Sequence, residues 1–479
     1  MSASSTDRRW LALVLLAAAQ FVVVLDASIV NVALPSIGSA LEFDPDNLSW
    51  VVNAYTLTFG GFLLLGGRLA DLLGRRRLFI TGLILFAGAS LAGGLAQTDI
   101  WLIVARAVQG LGAALLSPAA LSLVTELFAE GAERNKAMGV WGAVAGSGGA
   151  AGVLLGGMLT EWAGWEWVLF VNVPIGVAAA LIAPRLLPES SEDGHRHFDV
   201  AGAVTVTAGL SLLVYSLVNA NDAGWTSAET LGLLGVALIV LAVFVGIELR
   251  NRAPLVPFPG IFRLRTVRGV NVTALLVAAA LFSMFFFISL YLQQVLGFDA
   301  LETGLGYLPL AGGIIVSAGI ASNLVTRVGV RPVLVAGLLL TAIGLLWFSQ
   351  ISVDGSYLGD ILFPSLISAF GLGFAFVPMT IAAVAGVEPH EAGLASGLIN
   401  TSQQIGGALG LAVLASIANS RRDAVLEGGS ALPNAMTEGF QLALTVGAGM
   451  AIVGAVLAYV LVSPRTPVES DGTAVPVTT

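Results

Sequence analysis

Fourteen apolar runs, each close to the length that crosses a bilayer, leave this chain of 479 residues one class of fold. A helix rises about 1.5 Å per residue, so about twenty apolar residues cover the hydrocarbon. The runs lie at about 11–33, 48–70, 78–96, 100–124, 137–159, 167–186, 200–219, 229–248, 269–295, 303–325, 331–349, 358–380, 391–418 and 438–462. Charged residues make up only 11% of the chain, where a soluble domain carries about 25%. So few charges cannot cover a surface facing water, and the expected class is an all-α membrane protein. The first run carries Asp26 and ends without a small-residue cleavage site, so it reads as a retained span and not a signal peptide. Arg and Lys gather at one side of the spans, the pattern of cytosolic loops, and an even number of spans places both termini in the cytosol.

The polar stretch that stands out is Gly67–Arg77, with Asp71, Gly74, Arg75 and Arg76 inside it. It joins the second and third runs. A weaker echo, Asn323–Arg331, joins the tenth and eleventh, where Leu324, Gly329 and Arg331 repeat the spacing of Leu69, Gly74 and Arg76. Two related halves, each with a basic turn at the same membrane face, account for both. The turn does at least topological work. Its basic residues hold a loop in the cytosol, and its glycines let helices approach. Asp71, at a helix end, is also placed to pair with the arginines or with a helix terminus, and so to favour one conformation of a moving protein.

Composition excludes several chemistries. Cysteine is absent, which removes disulfides, thiolate nucleophiles and cysteine-ligated metals. His195 and His197 flank Arg196 in a polar linker and read as solvated. No glycine-rich nucleotide loop ends in Lys-Ser or Lys-Thr, so the chain holds no ATP engine, and no catalytic constellation marks an enzyme. The basic residues are scattered between spans and do not form a nucleic-acid surface. Neither a metal nor a cofactor is expected; any work must draw on an ion gradient.

Two charges lie inside spans. Asp26 sits fifteen residues into the first run, about 22 Å from its cytosolic end. Arg106 sits six residues into the fourth, about 9 Å from its outer end. The two reach similar depth and would pair if these spans are neighbours. An isolated charge there costs about 2.5–3.5 kcal/mol by insertion scales. One reading is a static pair that orients helices. The other is a proton site: a low dielectric favours the neutral carboxyl, a nearby guanidinium favours the charged one, and separating them binds a proton. Asn31, Asn53, Tyr55, Gln109, Gln294, Asn400 and Gln404 suggest a polar interior path, with Phe286 and Tyr291 as soft or aromatic walls. Each alone could equally be a packing contact. The fifth run is dense in glycine, including Gly146, Gly152, Gly156 and Gly157, which permits close backbone packing in lipid.

On these motifs the chain resembles the fourteen-helix drug:proton antiporters of the major facilitator superfamily. Gly67–Arg77 resembles the family's switching loop. Arg106, Gln109, Gly110 and Gly112 resemble its fourth-helix motif tied to proton coupling. Leu25 and Asp26 with Asn31, Ala33, Leu34 and Pro35 resemble the first-helix motif, and Asn172, Pro174 and Gly176 the sixth-helix pattern. Gly152–Gly157 resembles the fifth-helix antiporter motif, except that Val153 stands where that motif has proline. Without proline a kink is less assured, and dense glycine is the remaining source of flexibility.

The resemblance implies two six-helix bundles plus two additional central transmembrane helices. The expected divisions are 1–187 for the first bundle, 188–267 for a linker with the extra pair and a cytosolic interfacial segment, 268–463 for the second bundle, and 464–479 for a disordered tail. It implies a monomer in a bacterial inner membrane, surrounded by lipid, exporting small hydrophobic or cationic compounds against protons by alternating access. Two other readings stay open: a narrow exporter of one antibiotic or metabolite, and a non-transporting sensor, scaffold or lipid-handling protein.

Overall fold

The computed structural model describes residues 2–43, 45–189, 199–251, 254–256, 260–388 and 391–463. The three histidines and the tail after Ser463 lie outside the described residues. The main helices are α1 (Ser2–Ala40), α2 (Trp50–Leu73), α3 (Arg75–Gly94), α4 (Asp99–Leu127), α5 (Ala132–Trp162), α6 (Trp167–Leu186, interrupted at Val171), α7 (Val200–Ala223), α8 (Ala228–Glu248), α9 (Arg265–Leu290), α10 (Leu308–Val328), α11 (Val330–Phe348), α12 (Phe363–Ala383), α13 (Ala392–Glu427) and α14 (Leu432–Leu461). Among the described residues thirteen helices are long and apolar enough to cross a membrane. The fourteenth, α13, has the length, but Asn400, Ser402, Gln403 and Gln404 dilute its apolar character. It can afford them because it packs on α2, α9 and α14.

Helices α1 to α6 pack on one another, as do α9 to α14. The two groups meet where α5 lies on α10 and α12, and where α13 lies on α2 and α4. The pair α7–α8 stands beside this seam, with α7 against both α2 and α13. Trp50 of α2 stacks on Tyr215 of α7, with centroids 5.8 Å apart. No room remains for a side chain at Gly61, which lies against Ser211 of α7.

The sequence echo is a structural one. Gly74 and Gly329 both break the chain between consecutive helices at positive φ, 104° and 89°, where a β-carbon would be strained. Arg76 then donates to the Leu187 carbonyl beyond α6 at 3.1 Å, and Arg331 to the Tyr459 carbonyl of α14 at 3.4 Å. Each arginine thus closes the end of the last helix in its own group.

Helix α5 is continuous for 31 residues, with no break at Val153. Its glycines serve two faces. Gly148, Gly152 and Gly156 meet Val24, Leu25, Ser28 and Ile29 of α1. Gly139, Gly142 and Gly146 meet Ser322, Val377 and Ile314 across the seam. Gly157 is also buried. The segment before α9 is not simply laid on a surface: Leu255 and Val256 are buried in one apolar cluster with residues of α2, α7 and α13.

Candidate functional site

The spans bearing Asp26 and Arg106 are neighbours, and the two side chains form a closed network. Asp26 is fully buried and Arg106 is 1% exposed. The Arg106 Nη1 donates to Asp26 Oδ2 at 2.6 Å and to Gln109 Oε1 at 2.7 Å. The other carboxylate oxygen, Oδ1, accepts from Gln109 Nε2 at 2.8 Å and from Asn172 Nδ2 at 2.7 Å. Ser90 of α3 accepts from both amides, at 3.2 and 3.0 Å, and its hydroxyl donates to the Leu169 carbonyl at 2.8 Å. Burying two ions costs several kcal/mol each, and only a fully bonded pair recovers it. Four helices therefore meet in one network: α1 gives the Asp26 carboxylate, α4 and α6 bond it through Arg106, Gln109 and Asn172, and α3 braces the two amides through Ser90.

Arg106 has two further contacts, both on α2. Its Nε donates to the Val51 carbonyl at 3.0 Å, and its guanidinium lies 4.4 Å from the centre of the Tyr55 ring. A cation over an aromatic face gains roughly 0.5–2 kcal/mol, most when desolvated. Among the described residues the Tyr55 hydroxyl donates only to the Val23 carbonyl, at 3.4 Å.

A second acid lies at the far end of α2. Asp71 is buried, and it accepts from the backbone amides of Gly393 at 3.0 Å and Leu394 at 3.1 Å. These amides belong to the first turn of α13, so Asp71 caps a helix of the other group from across the seam. Arg75 donates to Asp71 at 3.1 Å and to Glu126 at 3.3 Å. Arg76 and Arg77 both pair with Glu189, at 3.3 and 3.4 Å. Gly67 is needed because its α-carbon faces the Gly393 carbonyl, leaving no space for a β-carbon. At the same end Asn135 of α5 donates to Thr326 of α10 at 2.8 Å. The basic end of the seam is closed.

The remaining path residues do not converge. Among the described residues none of their side chains hydrogen-bonds another, apart from those in the Asp26 network. Asn31 is exposed and donates to its own helix at Ala27. Asn53, Asn400 and Gln404 are half-buried, and Gln404 faces Gly60 of α2. Phe286 is 40% exposed and Gln294 is exposed. Tyr291 is fully buried, with its hydroxyl donated to the Ser352 carbonyl at 2.7 Å, so it braces the loop after α11. Ser90, Glu126, Glu189 and the α13 amides carried no motif of their own. Only their polarity inside or beside a span marked them.

A family model described as Major Facilitator Superfamily matches residues 16–411. The chain belongs to that superfamily. It is therefore a multi-pass membrane transporter and not an enzyme. Among its relatives, the puromycin resistance protein of Streptomyces alboniger is 40% identical over 97% of this chain and 93% of its own length. The cephamycin export protein of Amycolatopsis lactamdurans is 44% identical over 87% and 86%. The lincomycin resistance protein of Streptomyces lincolnensis is 35% identical over 96% and 93%. Among solved structures, the human organic anion transporter MFSD10 superposes with a TM-score of 0.64, covering 94% of this chain and 98% of that one at 17% identity. At that identity the likeness shows the shared superfamily fold alone. The relatives are resistance and export proteins, so this member falls with the transporters of the antibiotic-resistance type.

Proposed function

We propose that this superfamily member is a proton-coupled antiporter that exports hydrophobic or amphipathic compounds from the cytosol of a bacterium by alternating access. The basic end then faces the cytosol, with both termini there, and Asp26 is the proton carrier. The observation that carries the reading is the Asp26–Arg106 pair: a fully buried carboxylate of α1 bonded from α4 and α6, one of whose ligands is a guanidinium also fastened to α2. When Asp26 takes a proton it loses its charge attraction for Arg106, and the helices it ties together are free to shift. Opening of the basic end then requires Asp71 to leave the α13 amides. At 100 mV one inward charge supplies about 2.3 kcal/mol.

The names of the relatives favour a second reading within the same mechanism. Three of them are each named for one antibiotic or antibiotic type, puromycin, cephamycin and lincomycin, so this chain would export one compound or a narrow set.

The test is proton flux in liposomes on addition of lipophilic cations, neutral drugs and those three antibiotics, with Asp26→Asn beside the wild type. The expected result is substrate-dependent flux that the variant loses while still binding substrate. Undiminished flux in Asp26→Asn would remove Asp26 from the proton path. Flux with one compound of the panel would select the narrow reading.

A further inference from the structure

Away from the Asp26 network, a second pair of acids is buried at the basic end of the α7–α8 hairpin. Asp199 precedes α7 and Glu248 ends α8; they are 9% and 1% exposed. Asp199 Oδ1 accepts from the Gly202 amide at 2.8 Å, and Glu248 Oε2 from the Val256 amide at 2.8 Å. Their other oxygens, Asp199 Oδ2 and Glu248 Oε1, both hang over the same bare α-carbon of Gly202. Among the described residues neither of those oxygens has a hydrogen-bond donor, and their common position over Gly202 brings them face to face. Two ionised carboxylate oxygens so placed repel each other unless a proton lies between them.

We propose that Asp199 and Glu248 share a single proton, and that this buried acid pair fastens the hairpin and the Leu255–Val256 segment across the basic end of the seam between α2 and α13. The groups facing the pair come from three places. From α7 there is the Gly202 amide. From the segment after α8 there are the Asn251 side chain and the Leu255 and Val256 amides. The faces that α2, α9 and α13 add to the surrounding cluster are apolar: Leu64, Val267, Leu394 and Leu398. Among the described residues no arginine or lysine pairs with either acid, and the titratable group each of them faces is the other. Burial pushes the Asp199 carboxyl up, but bonds from Gly202, Asn251, Glu248 and Leu255 outweigh it and hold the group below the usual carboxylate range. The proton therefore resides on Glu248.

The mechanical consequence follows from the cluster. Leu255 and Val256 pack with Leu64 of α2 and Leu394 of α13, the helices that Asp71 also joins. While the proton is held, the pair is one negative charge with its amides satisfied. Losing it leaves two like charges in contact, which is unfavourable in a buried site. The pair binds its proton more tightly folded than open, so its contribution is present at lower pH and is lost as pH rises. It is a proton site distinct from Asp26, and it does not rest on the antiport reading.

Two measurements on the full chain in lipid test this. Infrared difference spectra on an Asp26→Asn background should show a carboxylic-acid carbonyl band at neutral pH. It should shift in heavy water, fade on alkalinisation, and vanish in Glu248→Gln and in Asp199→Asn. The amide in either variant supplies the missing donor, so both should fold. The chain has no cysteine, so Val256→Cys gives a single thiol whose labelling reports release of the segment. Relative to the same thiol in Glu248→Gln, labelling should rise by up to about tenfold per pH unit for one released proton. A spectrum unchanged by both substitutions, a labelling ratio flat with pH, or protection that follows sodium or potassium instead of pH would each overturn the proposal.

Discussion

Replacing Asp71 by asparagine should open the basic end of the seam by a calculable amount. Asp71 receives three bonds, but only those from Gly393 and Leu394 cross the seam. The Arg75 bond stays within one group of helices and survives opening, so it does not count. Asparagine keeps one carbonyl oxygen for one amide and turns an N–H toward the other. One charge-assisted bond is lost, worth about 1.5–3 kcal/mol, and the other becomes an ordinary bond of about 1 kcal/mol. The closed state should lose about 3 kcal/mol, and each 1.4 kcal/mol is a factor of ten, so its population ratio should fall about a hundredfold. Leu64, 6% exposed and opposite Gly397, reports the seam. In the Leu64→Cys form, Asp71→Asn should raise labelling by a membrane-impermeant thiol reagent by one to two orders of magnitude, flattening only if the open state already dominates. A rate within twofold of the parent would refute the assignment of Asp71 as the clasp.

Gly152→Ala should lower the thermal midpoint, because its β-carbon would strike Ser28 and stand 2.7 Å from the Leu25 carbonyl; overpacking of this kind costs about 1–3 kcal/mol. A midpoint equal to wild type would mean that α1 and α5 separate more easily than the packing implies. Arg106→Lys should abolish coupled flux, since an ammonium cannot hold Asp26, Gln109 and the Val51 carbonyl together while lying flat on Tyr55. Substantial flux in that variant would show that charge alone suffices. Tyr55→Phe should leave transport within about twofold, as it removes only one long hydrogen bond worth at most about 1 kcal/mol and keeps the ring under Arg106; a larger loss confined to substrate affinity would place the hydroxyl in the substrate path.

The membrane class was legible because lipid imposes a length and a polarity on every span. So was the repeat, since Gly74 and Gly329 are tied to a backbone conformation that other residues adopt poorly. Asp26 and Arg106 announced themselves as charges in apolar runs, and their matching depth anticipated the contact. What closes around them was not legible. Ser90 and Asn172 are ordinary polar residues in their own helices, and only packing turns them toward one carboxylate. The partner of Asp71 is a pair of backbone amides, which every residue carries and no motif can mark. The aromatic wall was a weaker inference for a related reason. A run of Phe and Tyr says nothing about which ring faces a cavity, and Tyr291 turns out to brace a loop while Phe286 is open.

The two acids in α1 and α2 acquire a common logic once α2 is followed along its length. Val51 and Tyr55, near one end, hold Arg106; Asp71, twenty residues on and about 30 Å away, holds α13. Between them α2 cannot slide freely over α4, because Gly66 rests on the Ala114 carbonyl and Gly110 on the Tyr55 carbonyl. On the proposed reading the pair moves as one stiff body. On the proposed reading, a proton at Asp26 loosens the grip of α1 and α6 on that body, and the body in turn carries the clasp at Asp71. Neither site needs to sense the other through a chain of side chains. It is enough that both bear on the same helix, Arg106 holding one end of α2 and Asp71 projecting from the other, and that the seam has glycine where the helices must meet and part.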